Sequence, residues 1–244
     1  MAGAFSDPGH LPKLRSGRDP FDPYRLPRQR RGTTPQMHGR YPDFDVLAEA
    51  RHWDEATRRA IFDRVEHVPP IRFFNKEEAA AIGAFLDCLL AQDGEPRVPV
   101  LEMVDKKLAE RKLDGFRFAA MPEDPETWKQ VARGLDEQAR ARGADDFASA
   151  GEEHQTEIVE AFANGELEGG VFDDMPCDLA WRVVTRGALS EFYSHPWTWN
   201  EIGFGGPAYP RGYVRLGPGQ RESWEAEAAL DIDPVPDTKR RGLE

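Results

Sequence analysis

The chain has 244 residues, a formal net charge of -12 and a sequence pI near 5.1, with 39% hydrophobic and 10% aromatic residues at a mean hydropathy of -0.66. That length suits one large domain or a domain with an attached arm, and 6 Trp and 14 Phe supply apolar material for a core. The acidic balance disfavours a nucleic-acid partner, no stretch approaches roughly 18 uninterrupted apolar residues, and two cysteines are too few for a disulfide scaffold.

Residues 1–43 hold Pro8, Pro12, Pro20, Pro23, Pro27, Pro35 and Pro42 with Gly9, Gly17, Gly32 and Gly39, which prevents helix continuation and ladder pairing. This segment reads as an extended arm of opposite charge. Residues 1–40 carry eight Lys or Arg against three Asp, whereas the other 204 carry 24 basic against 41 acidic residues. Without a helical periodicity to organise it, the arm reads as solubilising or partner-wrapping, with Phe21, Tyr24, Leu26, Met37 and Tyr41 suited to grooves of its own body or of another chain. The Arg28, Arg30, Arg31 cluster leads into no apolar run, so the expected localisation is cytoplasmic, without membrane insertion.

From Phe44 to Val65 the pattern is helical, with Leu47, Trp53, Ala56, Ala60, Ile61 and Val65 inward, and Pro69-Pro70 ends it. Asn75 and Glu78 form a capping box, with Phe74 placed to staple onto Ala79; Ala79, Ile82, Phe85, Leu86 and Leu89 then share a face up to Asp93-Gly94. A shorter helix follows Pro99, with Leu101, Val104, Leu108 and Leu113 inward and Gly115 as its stop. Asp124-Pro125 opens a long helix bearing Trp128, Val131, Leu135 and Ala139 that ends at Gly143. Ser149 and Glu152 match a second capping box ahead of Ile158, Val159 and Phe162, stopped by Asn164-Gly165. The last helix runs from Asp178 to Tyr193 with Leu179, Val183, Val184, Leu189 and Phe192 inward and Pro196 closing it; Tyr213 to Leu216 is the one short strand candidate. The expected fold is all-α: an irregular bundle of about five or six helices over 44–244, with the extended arm before it and an aromatic, Gly/Pro-rich C-terminal loop region.

Residues 143–181 carry 11 Asp or Glu and no Lys or Arg, with no EF-hand register, so they read as a solvated acidic face or docking surface. His154 and Glu157, three apart on a helix, are a candidate pair for a metal that needs a further carboxylate. Cys88 and Cys177 read as two thiols, with a disulfide between them as the alternative. His195 is the most tempting catalytic residue, set between Ser194 and Pro196 and beside Tyr193, Trp197 and Trp199; against this stands a helix-terminal histidine that satisfies terminal carbonyls. The segment from Ile202 to Pro210 is glycine-rich, but aromatic loop precedes it and prolines follow, which does not suit a dinucleotide. Its aromatic residues Phe204 and Tyr209, with Trp197 in the aromatic loop before it, suit an anchor surface for another protein.

Two blocks resemble the gluconate 2-dehydrogenase subunit 3 family. One is Arg72-Phe73-Phe74-Asn75-Lys76-Glu77-Glu78 running into Ala79 to Leu90; the other is Gly187-Ala188-Leu189-Ser190-Glu191-Phe192-Tyr193-Ser194-His195-Pro196 followed by Trp199-Asn200-Glu201-Ile202-Gly203-Phe204-Gly205-Gly206-Pro207. The likeness spans about 70–213. It implies a noncatalytic helical subunit, with no cofactor or metal of its own, that binds and stabilises a large FAD-containing catalytic subunit of the glucose-methanol-choline (GMC) class, often with a cytochrome c subunit completing the complex. The partner would oxidise a sugar, sugar acid or other alcohol at its flavin. Tyr193, His195, Pro196, Trp199, Gly203 and Pro207 would then lie at the interface or support it. Family members often carry a twin-arginine signal, so a periplasmic complex exported through a partner's signal is the alternative localisation. A stand-alone metal-assisted enzyme using His154 or His195, and a non-redox acidic helical adaptor, are the other functional readings.

Overall fold

The computed structural model describes residues 45–92 and 97–208, and all regular structure among them is helical. In chain order a 3₁₀ helix (Val46–His52) precedes α1 (Glu55–Glu66), α2 (Lys76–Leu89), α3 (Val100–Ala109), α4 (Asp124–Ala141), α5 (Glu152–Ala163), α6 (Val171–Asp174), α7 (Cys177–Phe192) and α8 (Pro196–Ile202). The all-α reading holds, with more and shorter helices than expected. The proline-rich arm over 1–43 and the strand candidate from Tyr213 to Leu216 lie outside the described residues.

The chain divides into two compact units, one spanning Val68–Phe192 and the other drawing its described residues from 45–67 and 193–208. In the first, α2 packs on α3, α4 and α5, while α7 packs on α3, α4 and α5. The capping box forms as expected: Glu78 N–H donates to Asn75 Oδ1 at 2.8 Å and Asn75 N–H to Glu78 Oε2 at 3.0 Å. Phe74 before it is buried edge-on to Trp128 at 6.4 Å. At the centre of the unit, Phe162 lies 6.0 Å from Phe85, 5.2 Å from Trp181 and 5.4 Å from Phe172, in tilted and edge-to-face geometries that favour aromatic pairs. Cys88 and Cys177 are both free thiols, and burial pushes each above its ordinary value.

Four local expectations are corrected. The predicted helix from Phe44 to Val65 is broken at Trp53, because the Asp54 carboxylate accepts the Thr57 N–H at 2.8 Å and starts a new helix. The phase resets there, leaving Ala56 and Ala60 exposed and turning Arg58 and Phe62 inward. Ser149 does not cap α5, whose N-cap is Gly151; it closes a turn with Asp146 instead, its N–H donating to Asp146 Oδ1 at 2.8 Å. The N-cap of α4 is Glu123, so Asp124 enters the first turn. Leu189 is 38% exposed, and Ala188 holds the inward position on α7.

Helix ends explain how such short elements stop. At α2 the Gln92 N–H donates to Asp87 O at 3.0 Å and the Ala91 N–H to Cys88 O at 3.4 Å, a Schellman pattern that requires the left-handed φ of 51° found at Ala91. A Cβ is unfavourable there, so Ala91→Gly is expected to raise stability by about 0.5–1 kcal/mol, read as a shift in the urea midpoint at unchanged slope.

Candidate functional site

The residues singled out from the C-terminal part fall in the unit made from 45–67 and 193–208. The expected aromatic loop is partly helix. Pro196 opens α8 rather than closing α7, since proline suits the first helical turn, and Gly203 ends α8 at φ 67°. The Phe204 N–H donates to Trp199 O at 2.8 Å and the Gly203 N–H to Asn200 O at 3.4 Å.

His195 is the N-cap of α8, at the opposite kind of helix end from the one expected. Its Nδ1 accepts the Trp197 N–H at 3.2 Å and its carbonyl accepts the Thr198 hydroxyl at 2.7 Å. With Nδ1 accepting, the neutral ring carries its proton on Nε2. The ring is 1% exposed and edge-on to Trp197 at 4.9 Å. Next to it, Arg64 of α1 donates through Nη1 to Ser194 O at 2.6 Å. Burial pulls the imidazole down to about 4; an interaction with the Arg64 backbone opposes this, and the Arg64 guanidinium adds to it. This ring holds a helix end, and its setting is sealed rather than open to substrate.

A folded-state value below the unfolded one means that the unfolded chain binds the extra proton between about pH 4 and 6.5. The His195 contribution is therefore complete above about pH 6.5 and is lost as the pH falls toward 4, at most about 3 kcal/mol. His195→Asn retains a capping oxygen and removes the titration, so thermal midpoints recorded from pH 7 to 4.5 should fall less steeply for the variant than for the parent.

Further hydrogen bonds hold this unit, one of them joining its two chain segments and the others lying within a segment. Asn200, 4% exposed, accepts the Val46 N–H on Oδ1 at 2.7 Å, and buried Arg58 donates through Nε to Ala50 O at 2.7 Å. Trp199, 7% exposed, donates from Nε1 to Tyr193 O at 2.7 Å and meets the Phe204 ring at 5.6 Å with perpendicular planes. Around it Tyr193 is 43%, Ile202 44% and Phe204 40% exposed, so this is an apolar face with Trp199 as its hub. Pro196 and Trp197 are buried, Gly203 and Pro207 are half-buried, and Tyr209 lies outside the described residues. Ile202 was missed by sequence reasoning, although it stands three residues beyond Trp199 on one helix face.

His154 and Glu157 are exposed on α5, and among the described residues no three His, Cys, Asp or Glu side chains come together as metal ligands would. The glycines after Ile202 follow a helix, and among the described residues no helix starts after them to offer its N-terminus to a phosphate.

The family model for gluconate 2-dehydrogenase subunit 3 matches residues 76–206, more than half of the chain and everything from α2 through α8. The chain belongs to the gluconate 2-dehydrogenase subunit 3 family. Neither the curated proteins nor the solved structures contain a match to it. Membership in the subunit 3 family implies a subunit of a multi-subunit dehydrogenase complex, as the capped helix at Asn75 and the stretch around His195-Pro196 suggested.

Proposed function

We propose that the chain is the noncatalytic small subunit that binds and stabilises a large, FAD-dependent, GMC-type sugar or alcohol dehydrogenase. The observation that carries this reading is the face of Tyr193, Ile202 and Phe204 around Trp199 within the stretch matched by the family model. Large aromatic side chains at an exposed, internally hydrogen-bonded face provide binding area at low entropic cost, which suits a permanent subunit contact. The flavin belongs to the partner, and this chain contributes shape and a rigid apolar platform.

Coexpression of the full-length chain with the flavin-bearing subunit tests it. A stoichiometric complex is expected, and Tyr193→Ala with Phe204→Ala should weaken it by about tenfold or more, because both are solvent-facing in the free chain. Trp199→Ala is a poorer probe, since it also removes a hydrogen bond that holds the fold. Full solubility and activity of the flavoprotein without this chain would overturn the proposal.

A further inference from the structure

A second surface, in the unit Val68–Phe192, is built differently. A small cavity of about 20 Å³, room for about one water or a methyl group, is floored by Val104, Leu108, Trp128 and Val183 and edged by Leu113. Gly187 keeps it open: a Cβ there would stand 3.0 Å from Trp128 Cζ2. Beside it Phe116 is 54% exposed, edge-on to Phe118 at 5.1 Å and beneath the Arg186 guanidinium at 5.6 Å.

The charges on this rim are unevenly satisfied. Lys107 pairs with Asp114 at 3.1 Å and Glu191 at 3.6 Å, Arg111 with Glu123 at 2.7 Å and Lys112 with Glu110 at 2.7 Å. Arg186 fares worse. Its Nε is buried without a hydrogen bond although Asp114 Oδ2 is 3.3 Å away, and its Nη2 lies 3.9 Å from Asp124 Oδ2. The first distance qualifies as an ion pair and the alignment fails as a hydrogen bond, so this buried Nε is held by charge alone between two carboxylates. Among the described residues, Arg117, exposed next to Phe116, has neither a hydrogen bond nor an ion pair. The unpaired Arg117 guanidinium beside an exposed ring that carries a second guanidinium, and next to an apolar recess, fits an acidic partner, in a chain whose net charge of -12 repels acidic partners elsewhere.

We infer that this rim receives an acidic segment of the catalytic subunit, with a carboxylate on Arg117 and an apolar side chain over Phe116 and Leu113. The inference rests on the proposed function and adds a second contact, separate in sequence from Tyr193, Ile202 and Phe204.

The test uses the flavin-bearing subunit purified with the tagged full-length chain. In hydrogen exchange, residues 113–118 are expected to gain protection in the complex. Arg117→Glu, at an exposed position without a hydrogen bond or ion pair, should raise the dissociation constant by about tenfold and flatten its salt dependence, and Phe116→Asp, with an unchanged urea midpoint as its check on folding, should add to the loss. If the complex forms, protects the α8 face and leaves 113–118 unprotected, the inference fails while the proposed function stands. Tighter binding by Arg117→Glu would show a basic partner segment and also overturn it. If no flavin-bearing subunit associates at all, the proposed function falls first and takes this contact with it.

Discussion

Replacing Asp105 with Ala is expected to lower stability by about 3–5 kcal/mol, the largest loss for any single polar side chain in the unit Val68–Phe192. Asp105 lies on α3, is 0% exposed, and accepts three successive backbone N–H groups from the segment before α2: Arg72 on Oδ1 at 2.7 Å, and Phe73 and Phe74 on Oδ2 at 2.9 Å each. Those donors precede the Asn75 cap, so the carboxylate fixes how the chain enters α2 and seats Phe74 against Trp128. Without it the N–H groups lose their acceptors where water does not easily replace them. Asp105→Asn keeps the shape and one accepting oxygen, so a smaller loss of about 2 kcal/mol is expected, and urea midpoints of the three proteins read the difference. Equal stability of the parent and Asp105→Ala would mean that the 72–74 segment is held by packing alone.

Gly206→Ala should cost about 2–4 kcal/mol in the other unit, because two penalties meet at one position. The backbone at Gly206 has φ 74°, which disfavours any Cβ, and that Cβ would stand 2.9 Å from Val46 Cγ2 and 3.1 Å from Trp53 Cζ2. Neither neighbour has room to retreat, since Val46 and Trp53 are both 0% exposed. Trp53 Nε1 is buried without a hydrogen-bond partner, so the indole is located by shape alone and a displaced wall displaces it. Faster hydrogen exchange across Val46–His52 and α8, with α2 through α7 unchanged, is the expected signature. Uniform acceleration over the whole chain would contradict it.

The helices of the Val68–Phe192 unit were legible where the signal is local. Asn75 with Glu78, the stripe from Trp128 to Ala139 and the stop at Asn164-Gly165 each use neighbours within a few turns, and each is where it was expected. The α8 helix was hidden because Trp, Thr and Asn are weak helix formers and histidine is an uncommon N-cap, although Pro196 and Gly203 stand at the two ends where those residues belong. Asp105 was missed for a different reason. Its position between Leu101 and Leu108 is an inward one, and an acid there signals a buried acceptor, but the donors it serves lie more than 30 residues away and carry no side-chain signature. The aromatic face was legible in kind and only partly in membership: Tyr193 and Phe204 face solvent, whereas His195, Trp197 and Trp199 are used to build the platform itself.

The hydrogen bond from Val46 to Asn200 joins residues 154 positions apart. A ribosome therefore releases Val46, Trp53 and Ile61 long before the residues that will cover them, and these side chains wait uncovered while the intervening helices are made. Closing so long a chain segment carries a large entropic cost unless those helices have already drawn its ends together, which sets an order in which the α8 platform matures last. A nascent chain arrested before Gly206 would expose greasy surface to chaperones, and the platform would become competent for assembly only once synthesis had passed that glycine.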